Sequence, residues 1–120
     1  MANDYSRKQN TDGYQTRIQR RINLGEDLLR GVRSVSNGID DLTARDGRVA
    51  EWLAENRATV QRVYANDDIA GGLPTATQID LQESSHQDIL EELERIVTGQ
   101  IRRLQELIAN TRAWDGLAPA

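Results

Sequence analysis

The sequence predicts an all-α protein, and three observations carry that reading. Leu, Ile, Val and Ala recur at helical intervals through most of the 120 residues, aromatic residues make up 4% with no Phe, and the hydrophobic share is 38%. Helices that associate lengthwise need less apolar material than a globule does, so the pattern predicts an elongated helical hairpin within an oligomeric coiled coil or helical bundle. One domain accounts for a chain of this length.

Residues 1–13 read as a polar N-terminal arm, followed by a helical hairpin domain over residues 14–113 and a short tail over 114–120. The first helix raises the central question, because its span contains Asn37-Gly38 and Asp46-Gly47, two dipeptides that favour turns. Against a turn stands the apolar phase. Ile18, Ile22, Leu29, Val32, Val35, Ile39, Leu42, Val49, Leu53, Val60 and Val63 advance in steps of three and four, with Gly25, Asp46 and Asn56 filling the gaps. That phase passes both glycines without slipping, which predicts one helix from about Tyr14 to Ala65, about 75 Å long at 1.5 Å per residue. The alternative is a three- or four-helix bundle with turns near Gly38 and Gly47. Asp46 and Asn56, as polar residues in an apolar seam, are candidates for setting register and oligomer state.

The stretch "NDDIAGGLPT", Asn66 to Thr75, combines paired Asp, paired Gly and a Pro, and so ends the first helix. A connecting loop spans residues 66–84. Within it Thr77, Ile79 and Leu81 alternate with Gln78, Asp80 and Gln82, a pattern that predicts an extended or irregular segment with one apolar side. Loops of this length usually bind something, and adding a strand to a partner's sheet edge is one such use. Ser85 followed by Asp88 resembles a capping box, which starts the second helix at about His86. Its broad stripe, Ile89, Leu93, Ile96, Val97, Ile101, Leu104 and Ile108 with Leu90 and Leu107 beside it, is wider than a two-stranded seam. Two helices cannot cover such a stripe, so these residues are the expected partner interface.

Catalytic chemistry finds no foothold. The absence of Cys excludes disulfides and thiol catalysis, and the sole histidine, His86, has no second His or Cys to share a metal. Asp40-Asp41, Asp67-Asp68 and Glu91-Glu92-Glu94 read as solvated faces and helix-end charges rather than acid/base pairs or calcium ligands. No cofactor is implied, and the chain is not expected to be an enzyme. No apolar run approaches the roughly 18 residues needed to span a bilayer, and Met1 to Asn10 has no signal-peptide core. The expectation is a soluble protein, cytoplasmic or virion-associated, with no membrane partner.

Charge is distributed unevenly. Residues 1–33 hold Arg7, Lys8, Arg17, Arg20, Arg21, Arg30 and Arg33 against Asp4, Asp12, Glu26 and Asp27, although the whole chain carries −4. Arg17, Arg20 and Arg21 cluster on one side of the first helix and are candidate contacts for phosphate or an acidic protein surface. The negative net charge and the absence of helix-turn-helix spacing rank a nucleic-acid partner below a protein one. The functional expectation is therefore a structural or assembly protein, self-associating or joined to other proteins in a particle such as a phage virion, connector or scaffold. The alternative is an export or assembly chaperone or small regulatory adaptor that clasps a partner helix.

Overall fold

A computed structural model describes residues 4–34 and 39–117. Within them the chain is helical: α1 (Tyr14–Arg33), α2 (Ile39–Val63), the single turn α3 (Asp67–Gly71) and α4 (His86–Leu117). No strand is formed among the described residues. The molecule measures 56 × 23 × 20 Å. Its long dimension follows from α4, whose 32 residues span about 48 Å at 1.5 Å per residue.

The predicted unbroken first helix is corrected. α1 ends at Arg33, where the Ser34 N–H donates to Arg30 O and Gly31 O at 3.1 and 3.3 Å, closing the last turn. α2 then runs antiparallel to α1 along its side, as the Trp52 indole N–H shows by donating to Arg21 O at 2.8 Å. The apolar phase concealed this turn for a simple reason. Val32 and Leu42 are both buried and ten residues apart, a spacing that steps of three and four also produce, so the second stripe keeps the phase a continuous helix would have had. Gly38 itself lies outside the described residues. Gly47, by contrast, is helical: α2 continues through it, as the unbroken phase predicts.

Gly47 faces solvent, and a Cβ built there meets nothing within 4 Å. Because Ala is the better helix former by about 1 kcal/mol, Gly47→Ala should stabilise the protein by up to that amount, seen as a higher urea midpoint at an unchanged m value.

α1 packs antiparallel against α4 as well as against α2, and the three long helices enclose one core. α1 contributes Tyr14, Ile18, Ile22 and Val32, and α2 contributes Leu42, Val49, Trp52, Leu53, Val60 and Val63. From α4 come Ile89, Leu93, Val97, Ile101, Leu104 and Leu107. Each fully buried Leu, Ile or Val side chain stabilises by about 1.5–3 kcal/mol, so the stripe supplies much of the driving force for folding.

The helix ends follow their local chemistry. Asn66 caps α3 by accepting from the Asp68 N–H at 3.0 Å, with Asp67 and Asp68 in the first turn. Ser85 Oγ accepts from the Asp88 N–H at 3.1 Å, and α4 begins at His86, where the capping pattern placed it. Residues 72–85 form neither helix nor strand and cross back over α2 and α4. Their alternation survives in the fold: Thr77, Ile79 and Leu81 are half-buried, while Gln78, Asp80 and Gln82 are exposed. The Asp80 carboxylate accepts from the Gln82 and Glu83 N–H groups, turning the chain into α4.

The N-terminal arm is held on the body of the same chain. Lys8 N–H donates to Val63 O and Ala65 N–H to Ser6 O, at 2.8 and 2.9 Å. Tyr5 meets Tyr64 and Trp114 edge-on, with ring centroids 6.2 and 6.5 Å away. Arg7 pairs with Asp115 at 3.3 Å and lies 4.6 Å over the Tyr14 ring. Gly13, at φ 83, makes the left-handed turn from this arm into α1, a conformation that favours glycine.

Beneath the arm, the buried Tyr64 hydroxyl lies 2.5 Å from Thr111 Oγ1, which in turn donates to Leu107 O at 2.6 Å. Burial pushes the Tyr64 phenol up from tyrosine's ordinary value. A raised folded-state value means that this contribution is fully present below about pH 10 and is lost as pH rises from there through the folded value. Thermal melting between pH 8 and 11 should therefore show a steeper alkaline decline for the native chain than for Tyr64→Phe.

Candidate functional site

The residues expected to form a partner interface lie elsewhere than expected. Ile89, Leu93, Val97 and Leu104 are fully buried within the single chain, Ile101 is 9% exposed, and Ile96 and Ile108 are half-buried against the same core. The turn after α1 supplies the reason: it folds α2 back to give α4 two neighbours, so a stripe too wide for a hairpin is covered without a second molecule.

Asp46 and Asn56 also act within the chain. Asp46 Oδ1 accepts from Thr77 Oγ1 at 2.5 Å and ties the connection to α2. Asn56 is fully buried, and its Oδ1 accepts from Arg21 Nε at 2.8 Å, while its Nδ2 has no hydrogen-bond partner among the described residues. A buried amide that accepts from one guanidinium fixes how α1 and α2 slide against each other, because any shift leaves two polar groups unpaired.

The third predicted group, Arg17, Arg20 and Arg21, does come together, and it does so beside residues the sequence did not single out. On the outer side of the α1–α2 pair two clefts of about 430 and 310 Å³ run end to end, sharing Arg21 and Leu24. They form one furrow open to solvent. At one end stand Arg17, Arg20 and Arg62, with Thr59 beside them. The middle is floored by Leu24, Leu28 and Trp52. Asp27, Glu51 and Glu55 edge the middle, and Arg45 and Arg48 stand at the far end.

The arginines divide into two kinds. Arg21 is committed to the fold: it bonds Asn56 through Nε, pairs with Glu55 at 3.2 Å, and retains only 14% of its side-chain exposure. Arg17, Arg20 and Arg62 are exposed, and among the described residues no carboxylate pairs with them. They present guanidinium donors to solvent. The apolar floor is unusual in the same way, since Leu24, at 46%, is the large hydrophobic side chain that the described residues leave exposed.

The furrow was missed because its apolar residues are few. Leu24 and Leu28 are four residues apart and out of phase with the Ile18–Ile22–Gly25 stripe, which was the available signal. Trp52 sits next to Leu53, which holds the core phase, and its indole packs against the bare backbone of Gly25, so that it backs the furrow while staying 3% exposed. Among the described residues no three His, Asp or Glu side chains converge as a metal site would require, and no helix is long and apolar enough to cross a membrane. The chain matches no protein-family model, and neither the curated proteins nor the solved structures include one significantly similar to it.

Proposed function

We propose that this chain is a non-enzymatic protein-docking module, an adaptor or assembly chaperone that engages its partner through the α1–α2 furrow. The observation that carries the reading is the exposed Leu24 beside the half-buried Leu28 in an open groove rimmed by charge, with the buried Trp52 packed behind them. Protein contacts commonly place an apolar and aromatic centre inside a polar rim. The furrow lies between two helices, the geometry in which a third helix finds a ridge to pack against.

A second reading, a self-associating component of a larger particle, draws on charge. The exposed arginines stand near the start of α1, while exposed Asp88 and Glu91 stand at the start of α4, toward the opposite end of the molecule. Head-to-tail contact between copies would join them, and such contacts build rings or filaments.

One experiment separates the readings. A photo-crosslinking amino acid is placed at Leu24 in cells that make the protein, with Gln105 on the outer face of α4 as control. A discrete heterologous adduct at position 24 and none at 105 supports the docking module. An adduct between copies of the chain transfers the case to the self-assembling component, and equal adducts at both positions defeat the furrow as a site.

A further inference from the structure

Resting on the docking reading, we infer that the furrow takes one class of occupant: an amphipathic helix of another protein with a carboxylate-rich end. The argument is one of charge and spacing. Arg17, Arg20 and Arg62 form an exposed cationic end without carboxylate partners among the described residues. From there the furrow leads to the apolar floor of Leu24, Leu28 and Trp52. Arg17 and Leu28 are eleven residues apart, about 16 Å along α1, the length of three turns of a docked helix. A matching segment therefore presents Asp or Glu in its first or last turn, followed by apolar residues at i, i+3, i+4 and i+7.

A nucleic acid fits the same surface poorly. Its phosphates repeat at short, regular intervals and would run from the arginines onto Asp27, Glu51 and Glu55, which edge the apolar floor. A helix can vary its charge along its length, placing carboxylates over the arginines and leaving uncharged or basic side chains beside those acids. Guanidinium forks bind carboxylates bidentately, so three free arginines supply direction as well as attraction.

The test is selection of a displayed library of random peptides, about 16 residues long to cover the furrow, on the intact purified chain. Expected winners combine clustered Asp or Glu at one end with helically spaced apolar residues. The best of them, labelled and measured by fluorescence anisotropy, should lose about tenfold in affinity with Arg17→Glu/Arg20→Glu, a comparable amount with Leu24→Ser, and further affinity as salt rises. All three positions involved are exposed, and an unchanged melting curve confirms that each variant is folded. Winners that lack acidic residues but still depend on Leu24 overturn the inference while leaving the docking reading intact. Winners insensitive to both variants, or no winners, overturn it together with the furrow. A labelled 20-mer of single-stranded DNA bound more tightly than the best peptide, with the same Arg dependence, replaces the helix by a nucleic acid.

Discussion

Leu104→Asp should unfold the protein rather than take an assembly apart. Leu104 is fully buried on α4, in the cluster that α1 and α2 close over. A carboxylate placed there loses its hydration with no cation on that face of α4 to receive it, and either stays charged at a cost of several kcal/mol or binds a proton. Total stabilities of about 5–15 kcal/mol leave little room for such a loss. Expected results are loss of the cooperative transition and of most helical circular dichroism at neutral pH. The milder Leu104→Ala should cost about 2–5 kcal/mol, with the molecular mass of the folded species unchanged. Had the α4 stripe been the interface between molecules, the same charge would have produced smaller, still folded species, so light scattering alongside circular dichroism distinguishes the two.

That contrast marks what could be read from the sequence and what could not. The end of α2 and the start of α4 were legible, because each carries its own chemistry: paired Asp and Gly around residue 70, and Ser85 three residues before Asp88. The side of the connection that faces the body was legible from the alternation of Thr77, Ile79 and Leu81. The turn after Arg33 was not, since two helices that share a core can carry one unbroken phase across a short connection. With α2 end to end with α1 instead of beside it, α4 would lack a cover and its stripe would need a partner. The Asn56–Arg21 bond, the furrow floor and the packing of Tyr5 on Tyr64 and Trp114 are products of the tertiary arrangement. Of the furrow, the arginine cluster and the out-of-phase pair Leu24 and Leu28 are the marks in the one-dimensional pattern.

Gly25→Leu should be nearly as damaging as the buried charge, and its coupling to Trp52 tests the fold itself. Gly25 lies in mid-helix with ordinary helical geometry, where a larger residue would normally help by about 1 kcal/mol. Here a Cβ would stand 2.4 Å from Trp52 Cζ2 and 3.0 Å from Ile101 Cγ1, so that even Ala must displace the indole ring. That ring is 3% exposed and tethered by its N–H to Arg21 O, which leaves it no easy retreat. Overpacking of this kind costs about 1–3 kcal/mol, and for Ala it should exceed the gain in helix propensity; for Leu the whole side chain must be accommodated, and the α1–α2–α4 junction opens. Trp52→Ala alone should cost about 3–5 kcal/mol by leaving a cavity. In the double variant the new Leu occupies the space the indole vacates, so the two losses should fall short of their sum by about 1–3 kcal/mol in urea titrations. The sign and size of that coupling depend on α1 and α2 lying side by side. On a single continuous helix, residues 25 and 52 would be about 40 Å apart, and their effects would simply add.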